Sequence, residues 1–238
     1  MLKTFGFAEY RVELSARDPK KAGDFVGSPA DWDNAESALH RVLTARGLKF
    51  RTIPGEGAFY GPKIDIKLVD VLGRLWQLST VQFDFNMPAR FELSYKGEDG
   101  ELHQPVMVHR ALFGSVERFF GVLIEHYAGA FPLWLAPVQV GLVPISSDKH
   151  LDYAKAVKNR LEAAGLRVEV DGRNEKMNAK IREFGLQKVP FILILGDKES
   201  ATDSVSVRTR GKGDEGGASV EAFIERCKVL VTSHDMEL

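Results

Sequence analysis

The apolar residues in the first half of the chain recur with two different periods. Between 30 and 46 they recur every three or four residues, which predicts an amphipathic helix begun by Ser28-Pro29 and ended by Gly47. From Lys63 onward they alternate with polar residues, as in strands with one buried face. Other segments with strand or turn character are a strand at 5–14, a second meander strand at 76–85, a turn at 96–101 and a strand at 105–113. We therefore expect an α+β domain with an antiparallel sheet.

A helix is predicted to follow the glycine turn at Gly114-Ser115. Its apolar residues share one face and are expected to be buried: Phe119, Phe120, Leu123, Ile124 and Tyr127. Arg118 projects from the opposite side. The free N–H groups and positive dipole end of this helix favour an anion such as phosphate. The pattern alone favours a simpler interpretation, a solvated surface arginine.

After Pro137 strands and helices alternate, which is typical of an α/β domain with helical crossovers. The predicted elements are strands at 138–145, 166–171, 191–197 and 204–210, a helix after 150, a helix at 175–185 and a final helix after 219. Two prolines and a tryptophan near 129–137 predict a short, stiff connection between the halves. We expect domains at 1–133 and 134–238. The glycine-rich stretch 210–219 is predicted to be a polar loop.

Composition places the chain among globular proteins. It has 238 residues, 44% hydrophobic and 27% charged, with a formal net charge of −1. No whole-molecule positive field favours nucleic acid, so an RNA contact would need a local basic patch. The sequence shows neither a membrane span nor the apolar core of a signal peptide, which predicts a cytoplasmic protein. One cysteine, Cys227, excludes an internal disulfide.

Three stretches resemble threonyl-tRNA synthetases of bacteria, in collinear order along the whole chain: GEGAFYGPKID at 55–65, WQLSTVQFDF at 76–85 and VMVHRALFGSVERF at 106–119. The last is similar to motif 3 of class II aminoacyl-tRNA synthetases. The likeness continues through RNEK at 173–176 and GDKE at 196–199. It implies a partial class II catalytic fold followed by an anticodon-binding fold, an α/β domain with a mixed sheet.

The resemblance assigns a site for threonine and ATP with Mg²⁺ to the first domain. There Arg118 is the motif 3 arginine, packing on the adenine and reaching the terminal phosphate, and Lys63 lies close to the reacting carboxylate and α-phosphate. Tyr60 is expected at the amino-acid end. The other residues expected to line the pocket are Gln77, Thr80, Gln82 and Ser115. Without the resemblance, the residue pattern leaves two alternatives open. Gly61-Pro62 is then a turn that only reverses the chain, and Gln77 and Gln82 are hydrated side chains of an edge strand.

His109 matches one of three zinc ligands of the family. A lone histidine on a strand is usually structural, and the family's upstream cysteine and histidine have no counterpart before it. Because Zn²⁺ needs about three protein ligands, we expect weak zinc binding or none in this chain alone.

Two further motifs of the family have no counterpart in this chain. Motif 1 usually builds the dimer interface, and motif 2 carries an arginine that binds the α-phosphate. We therefore interpret the chain as a C-terminal fragment or the product of a split gene. The full-length family implies a homodimer, and here a missing N-terminal half is a further candidate partner. The first domain is expected to expose an apolar edge. The alternative is a non-catalytic tRNA-binding or regulatory module.

The second domain is expected to read the anticodon of tRNA(Thr), because base edges need hydrogen-bonding groups and phosphates need cations. By resemblance, Asn174, Glu199 and Arg208 match positions used on bases, and Lys188 stands where an arginine is common. Basic residues proposed for a local positive patch are Lys176, Lys180, Arg182, Arg208, Arg210 and Lys212. The simpler alternative for each is a solvated surface charge.

Overall fold

A computed structural model describes residues 1–21 and 25–238. The chain divides into two compact units, Met1–His126 and Tyr127–Leu238. Segment 129–137, which was predicted to be the connection, is held within the second unit: Arg210 donates to the carbonyl oxygens of Ala130 and Phe131 at 3.1 and 2.7 Å. The boundary at 133/134 stays a prediction.

The first unit is built on a five-stranded sheet. Its strands are β1 (Tyr10–Ala16), β2 (Phe50–Pro54), β3 (Lys63–Val69), β4 (Leu75–Asp84) and β7 (Met107–Ala111), in the order β2-β1-β3-β4-β7. Three pairings are antiparallel, as predicted, but β1 and β2 are parallel. The unit also contains a 3-10 helix (Leu2–Phe5), α1 (Pro29–Ala45), α2 (Asn86–Arg90), a small hairpin of β5 (Tyr95–Lys96) and β6 (Leu102–His103), and α3 (Val116–Tyr127).

Helix α1 confirms its predicted start. Ser28 caps it, with its side chain accepting from the Asp31 N–H and the Asp31 carboxylate accepting from Ser28 N–H at 2.9 Å. The helix covers one face of the sheet, where Leu39 and Leu43 pack against apolar side chains of β1 and β3. The opposite face of the sheet carries polar side chains.

Helix α3 buries a different stripe from the predicted one. Phe119, Val122 and Leu123 are buried, whereas Phe120 is 53% and Ile124 42% exposed. The prediction was wrong for Phe120 and Ile124 because the helix contacts its unit through a row centred between Phe119 and Val122. The ring of Phe119 packs edge-on against Phe5, with centroids 5.0 Å apart.

The second unit is a mixed sheet flanked by helices, as predicted. Its elements are β8 (Val140–Pro144), α4 (Ser147–Ala163), β9 (Val168–Val170), α5 (Met177–Leu186), β10 (Phe191–Leu195), α6 (Asp197–Thr202), β11 (Ser204–Thr209), β12 (Gly213–Ser219) and α7 (Val220–Ser233). The strand order is β12-β11-β10-β8-β9, with β8, β9 and β10 parallel and the other pairings antiparallel. Strand β12 corrects the predicted loop at 210–219.

None of the helices in the described ranges is long and apolar enough to cross a membrane.

Candidate active site

The polar face of the first sheet brings together side chains from β3, β4 and β7. Lys63 pairs with Gln82, and Asp65 pairs with Thr80. Gln82 in turn pairs with His109 on β7. Because directly opposite residues project from the same face of a sheet, these predicted site residues lie side by side.

A β-bulge adds Gln77 to this face. The register between β3 and β4 shifts after Ile66, so that Ile66 pairs with Ser79 but Lys67 pairs with Gln77. In a regular strand Gln77 and Gln82, five positions apart, would point to opposite faces. The bulge places both amides on the polar face, where the Gln77 amide reaches Asp65.

Asp65 is the centre of this face, although sequence analysis treated it only as a polar residue of an alternating strand. Its side chain is 2% exposed. It accepts hydrogen bonds from Ser15 Oγ at 2.8 Å and from Gln77 Nε2 at 2.6 Å, and it pairs with the ammonium of Lys63. These contacts satisfy a buried carboxylate and fix the directions of Lys63 and Gln77.

The turn before β3 is pressed against β4. A Cβ atom on Gly61 would lie 1.9 Å from the carbonyl oxygen of Phe83, so only glycine fits. The carbonyl oxygen of Pro62 accepts from the Phe83 N–H at 2.9 Å. The turn therefore does more than reverse the chain: it holds Tyr60 over β4, where the Tyr60 hydroxyl donates to Gln82 Oε1.

His109 contacts a carboxylate that sequence analysis missed. Its Nε2 lies 2.8 Å from Asp84 Oδ2, a distance at which the imidazole N–H donates to the carboxylate. Burial opposes ionisation of Asp84, but hydrogen bonds from the Met87 N–H, His109 and the Asn86 N–H outweigh it and lower the pKa of Asp84. Burial, with the Asp84 charge, raises the pKa of Tyr60.

The donor set around His109 does not fit a zinc ion. Within residues 1–21 and 25–238, no three His, Cys, Asp or Glu side chains cluster so as to hold a metal. Zn²⁺ needs about three such ligands, and the described partner of His109 is Asp84. The assignment of His109 to zinc remains a prediction from resemblance.

Arg118 joins the polar face from α3. Its Nη1 donates to the carbonyl oxygen of Gln77 at 3.0 Å, and the side chain is exposed. Ser115 caps the helix, because its hydroxyl accepts from the Arg118 N–H at 3.1 Å. The sequence suggested that the N–H groups at this helix start are free for an anion, but the Arg118 N–H is not. At Gly114 a Cβ would lie 2.9 Å from the Leu78 carbonyl oxygen, which explains the glycine.

Thr80 contributes a further polar group to the face. Its Oγ1 is buried and has no hydrogen-bond partner among the described residues. A buried hydroxyl without a partner costs free energy. The atom lies between the pairs Lys63–Gln82 and Lys67–Gln77 in the register.

In the second unit the predicted RNA-contacting residues fall at two ends of the sheet. Asn174 and Glu199 follow the carboxyl ends of the parallel strands β9 and β10. Lys188 precedes β10, and Arg208 pairs with Ile192 near its amino end. Asn174 and Glu199 are therefore separated from Lys188 and Arg208 by most of the length of β10, which is about 17 Å at 3.3 Å per residue. Arg208 also lines a cavity of about 450 Å³ with Gly185 and Gly211.

Several of these side chains have structural partners. Glu199 accepts from the Gly196 N–H at 3.0 Å and caps α6, and Lys188 donates to the carbonyl oxygen of Ala128. Three members of the predicted basic patch are corrected. Lys180 is fully buried, and Arg210 donates to the carbonyl oxygens of Lys188, Ala130 and Phe131. Lys212 also has such a partner, because its ammonium donates to the carbonyl oxygen of Leu238, so the patch is reduced to Lys176, Arg182 and Arg208.

Comparison with known families decides the affiliation. Residues 1–127 match the tRNA synthetase class II core domain (G, H, P, S and T), and residues 139–230 match the anticodon binding domain. The chain belongs to the class II tRNA synthetases. It is 66% identical to the threonine–tRNA ligase of Acidobacterium capsulatum and 50% identical to that of a Sulfurihydrogenibium species, over 100% and 98% of its length. It spans 35% of the length of each and corresponds to a C-terminal portion of such ligases.

Solved structures of this synthetase family show the same fold. The RNA binding domain of threonyl-tRNA synthetase from Cryptosporidium parvum superposes with a TM-score of 0.87 at 35% identity, covering 100% of this chain and 57% of that one. A putative threonyl-tRNA synthetase from Aeropyrum pernix gives 0.75 at 31% identity, covering 98% of this chain and 58% of the other.

Proposed function

We propose that the polar face of the first sheet is one wall of the ATP and threonine site of a threonine–tRNA ligase. The single observation that carries the proposal is the register that places Lys63, Gln77, Thr80 and Gln82 on one face, with the Arg118 guanidinium anchored to the Gln77 carbonyl. Similarity to threonine–tRNA ligases over the whole chain supports it.

In the proposed reaction the carboxylate of threonine attacks the α-phosphorus of ATP. A carboxyl oxygen–phosphorus bond forms, the bond to the bridging oxygen breaks, and pyrophosphate leaves. Negative charge develops on the α-phosphate oxygens and on the departing pyrophosphate, so fixed cations are required. Lys63, held by Asp65, supplies one near the reacting atoms, and the planar guanidinium of Arg118 stacks on the adenine and contacts the terminal phosphate.

The neutral polar groups orient the substrates. Tyr60, Gln82 and Gln77 present hydroxyl and amide groups in directions fixed by the Tyr60–Gln82 and Gln77–Asp65 bonds. We propose that Tyr60 and Gln82 lie at the amino-acid end, where a ligand group also satisfies Thr80 Oγ1. The family uses ATP with Mg²⁺.

The second unit is proposed to bind the anticodon loop of tRNA(Thr). The family match at 139–230 supports this, as does the position of Asn174 and Glu199, which both follow the carboxyl ends of parallel strands. Single-stranded bases offer their edges to such polar side chains, and we propose that Lys176, Arg182 and Lys188 contact phosphates.

The experiment that tests the ligase proposal is threonine-dependent ATP–pyrophosphate exchange. The 238-residue chain is mixed with a separate polypeptide carrying the part of the Acidobacterium capsulatum ligase outside the matched region. Exchange with threonine that R118A and K63A abolish supports the proposal. Absence of exchange, with tRNA binding intact, contradicts it and favours the alternative of a non-catalytic tRNA-binding module.

A further inference from the structure

A buried lysine lies behind the loop that carries Asn174. Lys180, on α5, is 0% exposed and is among the largest fully buried side chains of the protein. A lysine is rarely buried without a specific set of partners, because its charge loses solvation. Burial lowers the pKa of Lys180, while the nearby Asp171 carboxylate acts in the opposite direction.

The partners of Lys180 lie at the carboxyl edge of the parallel strands. Its Nζ donates to the carbonyl oxygen of Pro144, the last residue of β8, at 3.1 Å, and to Ser147 Oγ, at the start of α4, at 3.2 Å. The ammonium group thus ties α5 to the β8–α4 connection, the edge at which Asn174 and Glu199 also lie.

Ser147 connects Lys180 to the loop after β9 through two hydrogen bonds. Its hydroxyl accepts from Lys180 and donates to the carbonyl oxygen of Arg173 at 2.8 Å. The same loop is held from its other side, because Asp171 accepts from Arg173 Nη2 and Nε at 2.6 and 2.9 Å. The peptide between Arg173 and Asn174 is therefore fixed by a continuous chain of polar contacts that starts at Lys180.

We propose that Lys180 is a positioning residue for RNA recognition, acting through Ser147 on the loop that presents Asn174. The inference rests on the proposed anticodon-binding function of this unit. Lys180 cannot contact RNA itself, because it is buried. Its role is to fix the position of the Asn174 side-chain amide. A structural lysine that served only the core would have no need of the second link, from Ser147 to Arg173.

The test uses the full chain and the variants K180M, S147A and N174A. The control is K155M, which removes the same charge from an exposed position of α4 paired with Asp152. The readouts are amide hydrogen exchange at 172–176 and the dissociation constant for an anticodon stem-loop transcript of tRNA(Thr). We expect K180M and S147A to speed exchange at 172–176 and weaken RNA binding on the order of tenfold each, while K155M changes both by less than about twofold.

The double variant K180M/N174A separates positioning from general destabilisation. If Lys180 acts through Asn174, the double variant binds RNA no more weakly than N174A, within about twofold; independent effects would multiply. Unchanged exchange at 172–176 in both K180M and S147A overturns the inference. If K180M does not fold, S147A decides alone. If the wild-type chain fails to bind the stem-loop, the proposed anticodon function is contradicted, whereas exchange still tests the positioning role.

Discussion

Arg118 is anchored to the backbone, and not to the side chain, of Gln77: its Nη1 lies 3.0 Å from the Gln77 carbonyl oxygen. The Gln77 amide is directed elsewhere, to Asp65 at 2.6 Å. The two residues therefore contribute to the polar face independently. Removing the Gln77 side chain should leave the guanidinium in place.

The first prediction follows from this arrangement. R118A should weaken ATP binding to the chain by at least about tenfold, and R118K nearly as much, because an ammonium lacks the flat surface and fork of donors. Q77A should have a smaller effect. Isothermal titration with ATP measures each, and R110A is the control, since Arg110 pairs with Val81 on the other face. Equal losses in R118A and R110A would contradict the assignment.

Asp65 should contribute strongly to the stability of the first unit. D65A leaves Lys63, Ser15 and Gln77 without their shared acceptor, and breaking a buried pair in this way typically costs about 3–5 kcal/mol. D33A is the matched control, because Asp33 pairs with Arg17 at an exposed position (67%) and should cost less than about 1 kcal/mol. Urea unfolding gives both free energies. Similar costs for the two variants would show that Asp65 is not the centre of the network.

Gly61 should tolerate no side chain. In G61A the added Cβ would meet the Phe83 carbonyl, so either the unit is destabilised or the turn lifts and carries Tyr60 and Lys63 away from β4. We expect a lower midpoint of thermal unfolding and weaker ATP binding together. The variant G73A is the control for the effect of the added volume, because a Cβ on Gly73 meets nothing within 4 Å. Its φ of 79° adds some backbone strain of its own. A G61A protein with wild-type stability and affinity would refute the close packing of this turn.

Stability of the first unit should depend on pH through Asp70. Burial opposes its ionisation, but hydrogen bonds from Trp76 and from the side chain and N–H of Arg74 outweigh this and lower its pKa to about 2, from an ordinary value of 3.8. A lowered pKa adds stability that is complete well above pH 3.8 and is lost as pH falls towards 2. The difference in unfolding free energy between wild type and D70N should therefore shrink over this range. A difference independent of pH between 6 and about 2 would contradict it.

The sequence predicted the elements with strong periodicity, such as α1, with its Ser28 cap, and the parallel strands of the second unit. It missed β2 and predicted β12 as a loop, because these edge strands are short or glycine-rich and present no apolar alternation. The buried stripe of α3 was misplaced, since periodicity gives the width of an apolar face but not which row meets the sheet.

The candidate site was only partly accessible to sequence reasoning. Resemblance supplied Tyr60, Lys63, Gln77, Gln82 and Arg118 and the expectation that they share a pocket. The residue pattern by itself could not give their shared face, because the bulge after Ile66 breaks the alternation on which such an argument depends. Asp65, Asp84 and Ser15 were missed. Asp65 and Asp84 occupy positions in alternating strands that are typical of solvated residues, and Ser15 lies beyond the strand predicted at 5–14. Only the fold shows that all three are buried.

The most direct test of the account is a titration of ¹⁵N-labelled chain with ATP, followed by NMR. If the polar face is a nucleotide-binding wall, the Arg118 side-chain Nε–H signal and the amide side chains of Gln77 and Gln82 shift together with one dissociation constant, while the Arg110 Nε–H signal stays in place. Saturable shifts confined to other surfaces, or no saturable shift at millimolar ATP, would contradict the central claim.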